Sequence, residues 1–205
     1  MNYLEIFNEA WSFAGFQNRL DSVSGLKGEP MRLHYFINQE YQVLQGHRDW
    51  TFKHRADTRG VLQTDSQILG TGVQYWKGLF YNDQPLTFYD TQAWLTTTIP
   101  VGQPSAFTID PLTQNIQLNA LDANYNIEVL YKEANERLTS NSQVPKWPTD
   151  FHQLLVFAGA AVFGSYLGDT SIEERALVLH DELLGQMYRL FVPGLTMKSK
   201  KPFFV

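Results

Sequence analysis

Apolar residues recur at helical spacing near both ends of this chain and alternate with polar ones through its middle. Leu4, Phe7, Trp11 and Ala14 form one stripe over residues 2–15, with Gly15 as a stop. A polar loop runs through Gly28, and Pro30 suits the first turn of a second helix. On that helix Leu33, Phe36, Ile37, Tyr41 and Leu44 share a face up to about Gln45, while Arg32, Asn38 and Gln39 fall largely off it. A third helix is predicted over about 150–167, burying Leu154, Leu155, Ala158, Ala161, Val162 and Tyr166. Pro145 and Pro148 stiffen the approach to it, and Thr149 or Asp150 is positioned to cap it. Its Gly159, Gly164 and Gly168 lower helix propensity, which is tolerable where another backbone packs closely. A fourth helix spans about 171–191, opening at Ser171 with Glu173 and Glu174 in its first turn. Ala176, Leu179, Leu183, Met187 and Leu190 line its inner face, and Pro193-Gly194 ends it.

Between Trp50 and Lys132 the period changes. Trp50, Phe52 and His54 alternate with Thr51, Lys53 and Arg55, which predicts a strand with Val61–Thr64 as its hairpin return. The aromatic run Tyr75–Tyr81 predicts a second strand, and residues 91–97 a short helix after Asp90. Phe107–Ile109 and Ile116–Leu118 flank a turn at Asp110-Pro111, a hairpin with proline where a type I turn favours it. Tyr125, Ile127, Val129 and Tyr131 alternate with polar residues as a half-buried strand, and residues 137–148 read as a polar connector. Each helix is expected to have one apolar face to bury. The fold class expected is therefore α+β: a four-helix core from residues 1–49 and 149–195, a β-rich insertion and connector over 50–148, and an extended C-terminal tail over 196–205.

Composition narrows the functional classes. Hydrophobic residues make up 43% of the 205, enough for a real core, and the formal net charge of -5 disfavours a general nucleic-acid coating protein. There is no cysteine, so disulfides and thiolate chemistry are excluded. The segment MNYLEIFNEAW lacks the basic start and apolar run of a secretory signal, and Leu154–Leu167 is too short to span a bilayer. A soluble protein assembled in the cytosol is expected.

Catalytic signatures are sparse. His47 and His54 straddle a predicted helix-to-strand junction, no HExxH occurs, and His180-Asp181-Glu182 is expected to face solvent, so the histidines read as surface or interface groups rather than a metal site. His152 has the chemistry of a base, but its position at the start of the third helix favours a hydrogen bond to the connector backbone. Ser24 sits between glycine-containing loop residues without a preceding strand, the carboxylates are scattered, and no phosphate-binding glycine motif occurs. No enzyme activity, catalytic residue, metal or cofactor is expected. Two surface features remain. Arg48, Lys53, Arg55 and Arg59 lie near Trp50 and Phe52, either as the solvated face of a strand or as a basic contact surface for phosphates or an acidic partner. Lys198, Lys200, Lys201, Phe203, Phe204 and Val205 form a basic and aromatic tail that reads as a contact site.

Taken together, MNYLEIFNEAW and QGHRDWTFKHR, with Asp49, Trp50 and Phe52 leading into strands, resemble the N-terminal half of tailed-phage head–tail adaptor proteins. The middle, FTIDPLTQNIQL and then YNIEVLYKEANERLTSNSQVPKWPTDFHQLLVFAGAAVF, is similar to that family's hairpin, tyrosine strand, connector and Pro-x-x-(Phe/Tyr)-His helix start, here Pro148, Phe151 and His152. The resemblance spans nearly the whole chain except residues 65–100 and the last ten. It implies a virion structural protein without a cofactor, a ring of commonly twelve copies beneath the portal at the head–tail junction. Such a ring extends the DNA channel, lets genomic DNA pass without sequence-specific binding, and carries the tail or nozzle proteins. The tail residues named above would then dock on the portal protein, with no membrane involved. Another neck, tail-completion or tube-capping component is the nearest alternative, and a cell-wall polysaccharide hydrolase a more distant one.

Overall fold

Asn2 opens the first helix by a reciprocal cap: its Oδ1 accepts from the Glu5 N–H at 3.0 Å, and its own N–H donates to Glu5 Oε2 at 2.8 Å. In the computed structural model, which describes residues 1–192, that helix is α1 (Tyr3–Phe13). It is followed by α2 (Glu29–His47), β1 (His54–Val61), β2 (Gln67–Ile68), β3 (Val73–Tyr81), β4 (Gln84–Pro85), β5 (Thr87–Phe88) and α3 (Thr91–Thr96). Then come β6 (Ala106–Ile109), β7 (Ile116–Leu118), β8 (Tyr125–Glu133), α4 (Gln153–Leu167) and α5 (Thr170–Phe191). The chain divides into two compact units: Met1–Phe52 with the residues from Asn135 onward, and Lys53–Ala134.

Among the described residues the class is α+β, with five helices and two four-stranded sheets, and the expected four-helix core with a β-rich insertion is overturned. The physical reason lies in α4. Leu154, Leu155, Val156, Ala158, Gly159, Ala160, Ala161, Phe163 and Gly164 are all buried, so this helix is covered around most of its circumference rather than along one stripe. It packs against α1, α2 and α5. By contrast α5 buries only Ala176 and Met187 fully, and leaves Leu190, expected to point inward, exposed. The helices are therefore unequal partners around one apolar rod.

Glycine sets how closely they approach. A Cβ on Gly159 would lie 2.4 Å from Ile37 Cγ1 on α2, and one on Gly164 would lie 2.9 Å from the Glu173 backbone nitrogen on α5. Boundary chemistry differs from the sequence reading in two places. A 3-10 turn at Thr149–Phe151 precedes α4 without any side-chain cap, and Asp169 rather than Ser171 caps α5 by accepting from the Ser171 and Ile172 amides.

In the β unit the strand orders are β1-β8-β3-β4 and β2-β7-β6-β5. The predicted hairpin is present, with Phe107 opposite Leu118 and Ile109 opposite Ile116, closed by the Asp110 N–H donating to the Asn115 carbonyl at 2.8 Å. Asp110 is a turn residue, its carboxylate accepting from the Leu112 amide and the Thr113 hydroxyl. The predicted first strand is displaced: Thr51–Lys53 is a 3-10 turn and pairing begins only at His54. Its partner is not residues 61–64 but β8, in a register running from His54–Lys132 to Val61–Tyr125. Side chains from both sheets, including Val61, Trp76, Leu79, Phe107, Ile116, Leu118, Ile127 and Val129, make one buried cluster.

Candidate functional site

The four basic residues singled out from sequence belong to different settings. Arg48 is in the helical unit, its guanidinium 5.7 Å from the centre of the Tyr188 ring. Lys53, Arg55 and Arg59 are in the β unit, and Lys53 is buried. Arg55 pairs with Glu133 at 3.0 Å. Arg59 donates to the Leu69 carbonyl at 2.8 Å and lies over the rings of Trp76 and Tyr131. Because β1 residues 55, 57 and 59 alternate away from 54, 56 and 58, Arg55 and Arg59 share a face of the sheet that His54 does not. An ammonium can only donate, so His54 Nδ1 is the acceptor in its 3.2 Å contact with the Lys77 ammonium. The residues Lys198, Lys200, Lys201, Phe203, Phe204 and Val205 lie outside the described residues.

Trp50, read as a strand residue, is instead fully buried in the helical unit. Its indole N–H donates to the Leu44 carbonyl at 2.7 Å, and its ring stacks on Tyr188 at 5.4 Å. It thus closes the last turn of α2, where carbonyls have no partner within the helix.

The most extensive polar construction lies along α2. Asn38 is buried and pairs with the backbone of Leu138 in both directions, accepting at 2.7 Å and donating at 3.0 Å. It also donates to the Tyr3 hydroxyl at 3.1 Å, which leaves that hydroxyl to donate to His34 Nδ1 at 2.8 Å. Four residues along the helix from Asn38, Gln42 donates to the Glu136 carbonyl, and Gln45 both donates to that carbonyl and accepts from the Glu136 amide. Tyr41 donates to the Glu136 carboxylate at 2.6 Å. The connector also serves α1, whose first amides, Tyr3 and Leu4, donate to the Gln143 and Asn141 carbonyls. Sequence reading set Asn38 off the buried face. The missed signal was the amide series Asn38, Gln42 and Gln45, which recurs at helical spacing and offers an extended segment paired donors and acceptors.

Burial fixes the protonation of this network. His34 is pushed below its ordinary range by desolvation, consistent with a neutral ring accepting at Nδ1, and Tyr3 is raised by burial so that it stays a phenol. A groove of about 380 Å³ runs beside it, lined by His34, Tyr35, Asn38, Gln42, Arg137 and Thr139 among others. His152 is also buried. Its Nε2 donates to the Trp147 carbonyl at 3.1 Å and its Nδ1 lies 3.0 Å from the Met1 nitrogen, so it does hydrogen-bond to connector backbone. On α5, His180 is less exposed than expected and sits 3.0 Å from Asp181. Burial pushes the Glu40 carboxyl above its ordinary range, with His180 opposing.

Chemically, these groups hold segments of backbone in place; apart from the Glu136 carboxylate they are neutral donors and acceptors satisfied by one another. Among charged and polar groups, the helical unit also offers apolar ones outward. Met31, Tyr35 and Val43 are more than half exposed along one line of α2 at four-residue intervals, with Gln39 between them. On α5, Val178 and Leu190 are about two-thirds exposed and Leu177 joins them. Among the described residues, no helix is long and apolar enough to cross a membrane. No protein-family model matches the chain, and no curated protein is significantly similar to it.

Proposed function

We propose that this chain is a virion structural protein, a head–tail adaptor that assembles into a ring joining the portal to the tail and extending the DNA channel. The sequence resemblance suggests the role, and the observation that carries it is the exposed apolar line on α2 together with the exposed apolar residues Leu177, Val178 and Leu190 on a second helix, α5. A closed ring of identical subunits needs a heterologous contact, in which one surface of a protomer meets a different surface of the next. Exposed apolar groups on two separate helices of one unit are suited to that contact, because such groups gain by leaving water. The net charge of -5 suits a channel wall along which DNA slides, since like charge weakens phosphate contacts. The chain would act without enzymatic activity or cofactor, at the neck of a particle assembled in the host cytoplasm, with portal, tail or nozzle proteins and passing DNA as its neighbours.

Symmetry-resolved electron microscopy of particles containing the protein, combined with cross-linking, tests the reading. A ring of about twelve copies cross-linked to the portal is expected. Tyr35→Glu and Val178→Asp should each abolish incorporation while leaving the subunit folded by circular dichroism, and truncation of residues 196–205 should weaken portal binding. Cross-links to tail-tube subunits alone would shift the assignment to a tail-completion component, and absence from the particle would overturn it.

A further inference from the structure

On the outer face of the second sheet, three uncharged polar side chains stand in a row across three strands. Thr108 of β6 is opposite Gln117 of β7, and Gln117 is opposite Gln67 of β2, so all three project to one side. Phe107, the neighbour of Thr108, enters the buried cluster, which places the threonine on the face away from that core. The row forms part of a trough of about 270 Å³ that Asp110, Asn115 and Ile116 also line. Its size is just below the roughly 300–1,000 Å³ usual for small-molecule sites.

One atom in it is out of place for a merely structural surface. Thr108 is only 8% exposed, and its hydroxyl has no hydrogen-bond partner. Buried hydroxyls are almost always paired, and valine would fill the same space without a polar atom. The neighbouring groups are partly committed. Gln117 donates its amide to the Ser66 and Leu118 carbonyls, which leaves its side-chain oxygen as an acceptor. Asn115 Oδ1 accepts from the Gly70 amide, which leaves its NH₂ as a donor. Asp110 accepts from Leu112 and Thr113, and these bonds hold its carboxyl below the usual range, so it is an ionised acceptor.

We propose that this trough binds one ring of a neutral saccharide. The lining contains no cation, so a phosphate or carboxylate ligand would meet only the Asp110 charge. A donor on Asn115, an acceptor on Gln117 and a Thr108 hydroxyl able to do both match the paired donor and acceptor character of sugar hydroxyls. Pro111, also in the lining, supplies apolar surface for the carbon–hydrogen face of the ring. Asp110 is the single carboxylate there, and hydrolysis of a glycosidic bond ordinarily requires two, so the trough binds without cleaving. This site is independent of the ring surfaces on α2 and α5.

The test is an amide-detected NMR titration of the ¹⁵N-labelled chain with glucose, galactose and N-acetylglucosamine, and with inorganic phosphate as a control. Saturable shifts in the millimolar range are expected for at least one sugar, confined to the trough residues, with none for phosphate. Thr108→Val should bind about fivefold more weakly, the loss expected for one hydrogen bond. Gln67→Ala, at an exposed position, should weaken binding while leaving the thermal midpoint unchanged. The proposal is overturned if no sugar produces saturable shifts, if both variants bind as the parent does, or if phosphate occupies the trough instead. A lower thermal midpoint for Thr108→Val without any sugar response would assign the hydroxyl to an internal water and equally overturn it.

Discussion

Asn38 shows how one side chain can hold two distant parts of the chain together. Its amide replaces a strand partner for Leu138, a hundred positions away, and also supports the Tyr3–His34 hydrogen bond. Leucine has a similar branched shape, though it is larger, and leaves the Leu138 N–H and carbonyl without partners. Asn38→Leu should therefore cost about 2–3 kcal/mol in urea denaturation, with faster exchange of the Leu138 amide. Periodicity had assigned this residue to the polar side of α2. Patterning treats any amide as a solvent-facing group, and burial of an amide becomes favourable only when a specific backbone segment arrives to satisfy it. Trp50 has the same lesson in reverse: its alternation with Thr51 and Phe52 imitated a strand, while its N–H is needed by the last turn of α2.

Among the elements, α4 governs the helical unit because its neighbours press against it at glycine. Gly159→Ala would gain about 1 kcal/mol in helix propensity but place a methyl against Ile37, and overpacking of this kind costs roughly 1–3 kcal/mol. A net change between about zero and a loss of about 2 kcal/mol is expected. Ile37→Ala should be destabilising alone, yet the double variant should be more stable than the sum of the two effects, which a thermodynamic cycle measures directly. A strictly additive result would mean that the clash is relieved elsewhere. The helices themselves were readable because each contains a long run of local, periodic signal, and the 107–118 hairpin because its turn is spelled out by Asp110-Pro111. The partnership of β1 with β8 was not readable. Its residues lie some seventy positions apart, and local alternation specifies which face a residue takes but not which strand it meets.

At the scale of the whole molecule, buried histidines link stability to pH. Burial lowers the pKa of both His34 and His152 below the ordinary value near 6.5. Above that value neither folded nor unfolded chain is protonated at these rings, and their contribution is fully present. As pH falls through 6.5, the unfolded chain takes up protons that the folded chain resists, so stability declines until the folded pKa values are reached. Glu40 acts in the opposite sense at lower pH: its raised pKa favours the folded chain as pH falls below that value toward the ordinary carboxylate range. The urea midpoint should therefore fall between pH 7 and pH 6, and His34→Gln should flatten part of that slope. A midpoint insensitive to pH across this window would show that the rings are solvated in the folded chain.

Local chemistry was enough to specify the helical segments, the Asp110 turn, the existence of β3, the alternating faces of β8, and the absence of cysteine chemistry. Each depends on residues within a few positions of one another. Long-range contact was needed to make α4 a rod buried on nearly all sides, to pair β1 with β8, and to turn the connector into a segment bonded to α1 and α2. It also left the hydroxyl of Thr108 buried without a partner. These features depend on which surfaces meet once the chain has closed, and a side chain's burial is a property of that meeting rather than of its place in the chain.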